Sequence, residues 1–137
     1  KYHASIQEEL TPCPADMVLV DYEDRMADAY AMADLVLCRA GSSTLAELTA
    51  IGKPSVLVPS PNVTDNHQEG NARGLEEVGA AVVMVERDLE INSAVAQIGS
   101  LLKDTSVLEQ MSKSAKGQAH LDTADQVAGL LTERFLG

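Results

Sequence analysis

The segment Gly41-Ser42-Ser43-Thr44, followed three residues later by Glu47, holds the residue types with the clearest chemistry in this chain. A small-residue turn that opens a helix aims unpaired backbone N–H groups and the positive end of the helix dipole outward, which suits a phosphate or pyrophosphate. Gly41 offers backbone angles that other residues resist and lets a ligand come close to the main chain. Ser42 or Ser43 is the expected N-cap. Glu47 falls one turn further on, on the same rim as Ser43, where a carboxylate accepts from two vicinal hydroxyls. Phosphates on the turn and a ribose on the acid describe a nucleoside diphosphate site. The same pattern also fits a plain structural β–α corner, and Arg39 beside it adds little by itself.

A second cluster, His67, Gln68 and Asn71, sits at the start of a later helix, with His67 and Asn71 on one face. Amide and imidazole groups fixed in this way hydrogen-bond sugar hydroxyls. The structural alternative has Asn66 capping the helix, Gln68 in solvent and His67 covering the helix end. No second His or Cys has metal-ligand spacing with His67, and neither a metal nor a cofactor is expected. His3 and His120 read as surface groups. Ser42 and Ser43 lack the G-x-S-x-G elbow of a nucleophilic serine.

The elements that would hold these residues alternate. Strands are expected at Met17 to Val20, Leu35 to Cys38, Ser55 to Val58 and Ala81 to Val85. Helices are expected at Tyr2 to Leu10, Arg25 to Met32, from Ser43 or Ser42 to the Gly52-Lys53-Pro54 stop, and at Asn66 to Val78. Three more helical stretches follow, about Asn92 to Lys103, Thr105 to Ala119 and Thr123 to Phe135. Asp21 to Asp24 read as a solvated acidic connection. Strand–helix alternation with short connections calls for a parallel sheet, α/β in class and Rossmann-like, a partial doubly wound unit. In such a sheet the Pro59 to Asp65 loop lies at the same edge as the Gly41 turn. Four strands are fewer than the usual five or six, and Lys1 opens the chain without Met in the middle of a helical pattern. An N-terminal βα portion is therefore expected to be missing.

At 137 residues the chain is one domain's worth, 1–137, with 45% hydrophobic residues, only 3% aromatic and an aliphatic core. Ten basic against 21 acidic residues leave a net charge of -11, which argues against nucleic acid and against adhesion to anionic lipid. Cys13, in a proline-flanked loop, and Cys38, in an apolar strand, form neither a disulfide framework nor a metal-spaced pair, as in a reducing cytoplasmic protein. No apolar run reaches the roughly 20 residues of a spanning helix. An incomplete sheet leaves an open strand edge through which such a fragment could dimerise.

The ordered motifs RAGSSTLAE, GKPSVLVPSP, DNHQEGNA and LEEVGAA resemble the carboxyl-terminal domain of the MurG-type N-acetylglucosaminyltransferases of peptidoglycan synthesis. The resemblance runs from about Met17 to the end and is most specific between Ala33 and Ala81. It implies the donor-binding, C-terminal half of a GT-B glycosyltransferase, with UDP-N-acetylglucosamine as donor. Ser42, Ser43 and Thr44 would meet the phosphates, and Glu47 the ribose. The family's glutamine pair falls on His67 and Gln68, a main-chain contact to uracil falls near Glu23, and Asn71 belongs to the same motif. The implied reaction is inverting transfer to the 4-hydroxyl of lipid I, giving lipid II. The acceptor site and the base would lie in an N-terminal domain outside this chain, and the whole protein would be peripheral on the cytoplasmic face of the membrane. Other readings are a donor-binding subunit of another two-part N-acetylglucosaminyltransferase, and a nucleotide-binding module without transfer chemistry.

Overall fold

The computed structural model describes residues 3–12, 14–61 and 66–135. Tyr2, Cys13 and the last four residues of the expected Pro59 to Asp65 loop lie outside the described residues. The chain divides into two compact units, Lys1–Ala33 and Asp34–Gly137. The first contains α1 (His3–Glu9) and α2 (Met26–Met32). The second runs β1 (Val36–Cys38), α3 (Ser42–Ile51), β2 (Ser55–Leu57), α4 (His67–Glu77), β3 (Ala81–Val83), a 3-10 turn (Glu86–Asp88), α5 (Ile91–Lys103), α6 (Thr105–Gly117) and α7 (Thr123–Phe135).

The three strands form one parallel sheet in the order β1-β2-β3, with Cys38, Leu57 and Val83 in register at its carboxyl edge. β2 lies between its neighbours and is buried along its whole length, Val56 and Leu57 each at 0% exposure. Its apolar run has no polar alternation because both of its faces are covered. Val58 N–H donates to the Cys38 carbonyl at 2.9 Å and Met84 N–H to the Leu57 carbonyl at 2.9 Å, so the pairing continues one residue past each strand.

Met17 to Val20 is not a strand. A strand exists through its partners, and this run has no ladder among the described residues; Val18 is 87% exposed. A turn closed by Met17 N–H donating to the Pro14 carbonyl leads into it instead. Four apolar residues in a row are too short a signal to separate a strand from an extended connection.

α3 buries Leu45, Leu48 and Thr49, spaced for one helical face. It ends where Gly52 adopts a left-handed conformation, φ 68°, while Lys53 N–H reaches back to the Leu48 carbonyl at 2.8 Å. α6 packs on α3 and α5 through buried Met111 and Ala115. A Cβ on Gly52 would stand 2.3 Å from the Lys116 side chain, so a larger residue there meets both the positive φ and α6. At the outer edge of the sheet, the Glu76 carboxylate accepts from Val83 N–H at 2.9 Å, which satisfies a donor the edge strand would otherwise expose.

Two helices are capped by their own acids. Glu90 accepts from the backbone N–H groups of Asn92 and Ser93, and Asp104 from Val107 N–H and the Ser106 hydroxyl. The Ser93 and Asn92 N–H groups hold Glu90 below its ordinary 4.5, and the Ser106 hydroxyl followed by Val107 N–H holds Asp104 below its ordinary 3.8. Lowered acids stabilise the fold fully above their unfolded values, and that contribution is lost as pH falls through the lowered ones. Combining Glu90→Gln with Asp104→Asn should therefore lower Tm at neutral pH and flatten its fall below about pH 4.5. Thermal melts across that range check this, and a curve that falls as steeply as the unaltered protein's would refute it.

Candidate functional site at the carboxyl edge of the sheet

The β1–α3 corner differs in two respects from the sequence expectation. Gly41, not a serine, is the N-cap of α3, and its φ of -69° and ψ of 142° are open to any residue. Its use is its missing side chain: among the described residues beyond its chain neighbours, a Cβ there would have only Thr44 Oγ1, at 4.0 Å, within reach. Ser42, Ser43 and Thr44 thus lie inside the first turn, and their N–H groups have no acceptor within the helix. Its N-cap makes no side-chain cap bond, in contrast to α5 and α6, whose N-caps Glu90 and Asp104 accept from first-turn N–H groups. The corner thereby keeps a cluster of backbone donors at the positive end of a ten-residue helix. Glu47 is exposed one turn further along, on the flank it shares with Ser43.

Arg39, which the sequence alone left unassigned, joins the three carboxyl ends of the sheet. Its Nη1 donates to the Val58 and Pro59 carbonyls, each at 3.3 Å, and to Glu86 Oε2 at 2.5 Å. The available signal was a lone cation directly after an apolar run in a chain of net charge -11.

At the start of α4, Gln68 and His67 diverge. Gln68 Oε1 accepts from Ser60 N–H at 3.0 Å, fixing the side chain against the loop after β2 and leaving its amide nitrogen as the group to donate to a ligand. His67 is exposed in the first turn. Asn66 does not cap α4 with its side chain; its backbone is left-handed, φ 52°, and its Nδ2 donates to Glu69 Oε2 at 2.7 Å. A positive φ at a non-glycine residue is uncommon and is held here by its surroundings. That Asn66 bond is the largest of the effects holding Glu69 below the usual carboxylate range, and Arg87 and Arg73 add to it against partial desolvation.

Asn71 does share a face with His67, yet it lines a groove of about 410 Å³ between α3 and α4, together with Leu45, Ala46, Thr49, Gln118 and His120. On α3 the groove residues occupy the flank away from Ser43 and Glu47. Glu23 belongs to the first unit, where its carboxylate accepts from Arg25 N–H at 2.7 Å. The structure therefore brings Gly41, Ser42, Ser43, Thr44 and Glu47 together on one corner, sets Gln68 at the neighbouring loop, and turns Asn71 toward a different recess. Cys38 is half-buried, and burial raises its thiol above the ordinary range, as for an unreactive packing residue.

Residues 3–127 match the family described as the glycosyltransferase family 28 C-terminal domain. A protein of Oenococcus oeni named "UDP-N-acetylglucosamine--N-acetylmuramyl-(pentapeptide) pyrophosphoryl-undecaprenol N-acetylglucosamine transferase" is 44% identical over 136 residues, covering 97% of this chain and 36% of the relative. A protein of the same name from Acetivibrio thermocellus is 46% identical over 115 residues, covering 84% and 31%. The crystal structure of Acinetobacter baumannii MurG superposes with a TM-score of 0.85 at 28% identity, covering 97% of this chain and 40% of that one. The chain spans about a third of the length of the curated relatives it matches. With the family match running over nearly all of its length and the α/β architecture shared with part of a MurG crystal structure, the chain belongs to the glycosyltransferase family 28 C-terminal domains.

Proposed function

We propose that this chain binds UDP-N-acetylglucosamine and forms the donor half of a transferase that moves N-acetylglucosamine to undecaprenyl-pyrophosphoryl-N-acetylmuramyl-pentapeptide, lipid I, to give lipid II. The observation that carries the proposal is the side-chain-free start of α3 at the carboxyl edge of the sheet, with Glu47 one turn behind it. The Ser42, Ser43 and Thr44 N–H groups face the pyrophosphate, and Glu47 accepts from the ribose hydroxyls. Gln68, through its amide nitrogen, and His67 meet the hexose.

In the transfer, the acceptor 4-hydroxyl attacks the anomeric carbon from the face opposite the pyrophosphate. The bond to the β-phosphate oxygen breaks with its electron pair, and configuration inverts. Charge develops on the departing UDP, where fixed N–H donors and a helix dipole are most effective because they need no reorientation as the bond breaks. A base outside the described residues takes the hydroxyl proton, and the acceptor is held there too, so this chain supplies donor binding and leaving-group stabilisation. The lipid-linked acceptor places the work at the cytoplasmic face of the cell membrane. Among the described residues, no helix is long and apolar enough to cross a membrane.

Three substitutions separate the roles. Glu47→Ala removes two charge-assisted hydrogen bonds and should weaken UDP binding about tenfold or more; calorimetry showing unchanged UDP affinity in a folded protein would remove the ribose assignment. Gly41→Ala adds a methyl at allowed backbone angles, so stability should shift by less than about 1 kcal/mol. The methyl would nonetheless occupy the open space beside Thr44 Oγ1 through which a phosphate would approach the turn, and UDP affinity should fall while Tm holds. A tight-binding Gly41→Ala protein would show that the phosphates lie elsewhere. Gln68→Ala should weaken UDP-N-acetylglucosamine more than UDP, measured by parallel titrations, and equal losses for the two ligands would place Gln68 away from the sugar.

A further inference from the structure

The 3-10 turn Glu86–Asp88 contributes no group to the donor site described above, yet its first two residues reach both ends of the β2–α4 connection. Glu86 Oε2 takes Arg39 Nη1, and that same nitrogen donates to the Val58 and Pro59 carbonyls. Arg87 Nη1 lies 3.5 Å from Glu69 Oε2, in the first turn of α4 and next to Gln68. Two adjacent residues of opposite charge thus engage opposite ends of one connection. Among the described residues, Glu86 and Arg87 border a recess of about 30 Å³ together with Ser60, Pro61 and Asn66.

The geometry matters more than the Coulomb energy. Arg39 and Glu86 are about half exposed, at 54% and 46% of their side chains, and an ion pair so placed stabilises little by itself. In an extended strand, successive carbonyls point to opposite sides. Val58 and Pro59 both address one guanidinium nitrogen, so the backbone must bend there, and Glu86 fixes that nitrogen from the third side. The bend brings Ser60 N–H onto Gln68 Oε1. From the other end, Glu69 is held by Arg87, Arg73 and Asn66, which sets the first turn of α4 where Gln68 is rooted.

We infer that Glu86 and Arg87 are positioning residues: acting through Arg39 and Glu69, they hold Gln68 in place and so set discrimination for the sugar part of the donor. The inference rests on the donor-binding reading for its ligand, though not for its geometry. Neither residue touches the donor. Their loss should leave the phosphate corner intact, because that corner is built from the backbone of α3.

The experiment uses the protein at its natural length with Glu86→Ala, Arg87→Ala and the double substitution. Two readouts are taken: amide hydrogen exchange, and paired titrations with UDP and UDP-N-acetylglucosamine. In Glu86→Ala the Ser60 amide should exchange about tenfold faster, while the sheet amides of Val36, Val58 and Met84 keep their rates. The preference for UDP-N-acetylglucosamine over UDP should drop about threefold or more, with UDP affinity held within about twofold, and the double substitution should drop it further. Glu86→Gln, which keeps an acceptor oxygen, should recover part of both effects. An unchanged Ser60 rate overturns the inference, as does a general quickening of the sheet amides, or a Ser60 rate that rises with sugar discrimination intact. Should the unaltered protein fail to bind UDP, the donor-binding reading falls, and the Ser60 amide alone then decides whether this turn holds the loop.

Discussion

Parallel pairing is the constraint on which the rest of this structure depends. Three parallel strands in the order β1-β2-β3 must each return to the starting edge through a helix, so every strand-to-helix connection emerges at the opposite edge. Cys38, Leu57 and Val83 end in register, and the segments that follow them, with Arg39 to Thr44, Val58 to Pro61 and Met84 to Asp88, are thereby neighbours without being close in sequence. β2, buried on both faces, is held between the other two by close packing of Val56 and Leu57.

In the proposed donor site, recognition on that edge divides between two kinds of group. The phosphate end is made of backbone, the open first turn of α3, and is as rigid as the helix whose Leu45, Leu48 and Thr49 are buried. The proposed sugar end is made of side chains in the first turn of α4, one of which is held by a hydrogen bond from the loop after β2, Ser60 N–H to Gln68 Oε1. Backbone donors accept any nucleoside diphosphate. Side chains distinguish one hexose from another, and they are the part that needs support.

Much of this was legible in the sequence because it rests on local chemistry. Gly52 and Gly79, both at positive φ, marked where α3 and α4 end. The corner from Gly41 to Glu47 was recognisable as a strand-to-helix turn because small residues between an apolar run and a helical pattern mark one. The Met17 to Val20 run was misread because four apolar residues do not say whether a partner strand exists. Gly41 became the cap because nothing in residue identity says which of three small residues adopts the extended backbone. Arg39 and Glu86 were invisible for a different reason: they are 47 positions apart, and only the sheet brings them together.

Glu90 and Asp104 show that this chain can close a helix with its own acid, and α3 is left without one. The open end is a standing loss of stability, carried at the place where a pyrophosphate would supply the missing acceptors. A carboxylate installed at Gly41 would steady the empty protein and compete with the nucleotide for the same N–H groups. Selection for robustness and selection for turnover therefore pull this single position in opposite directions.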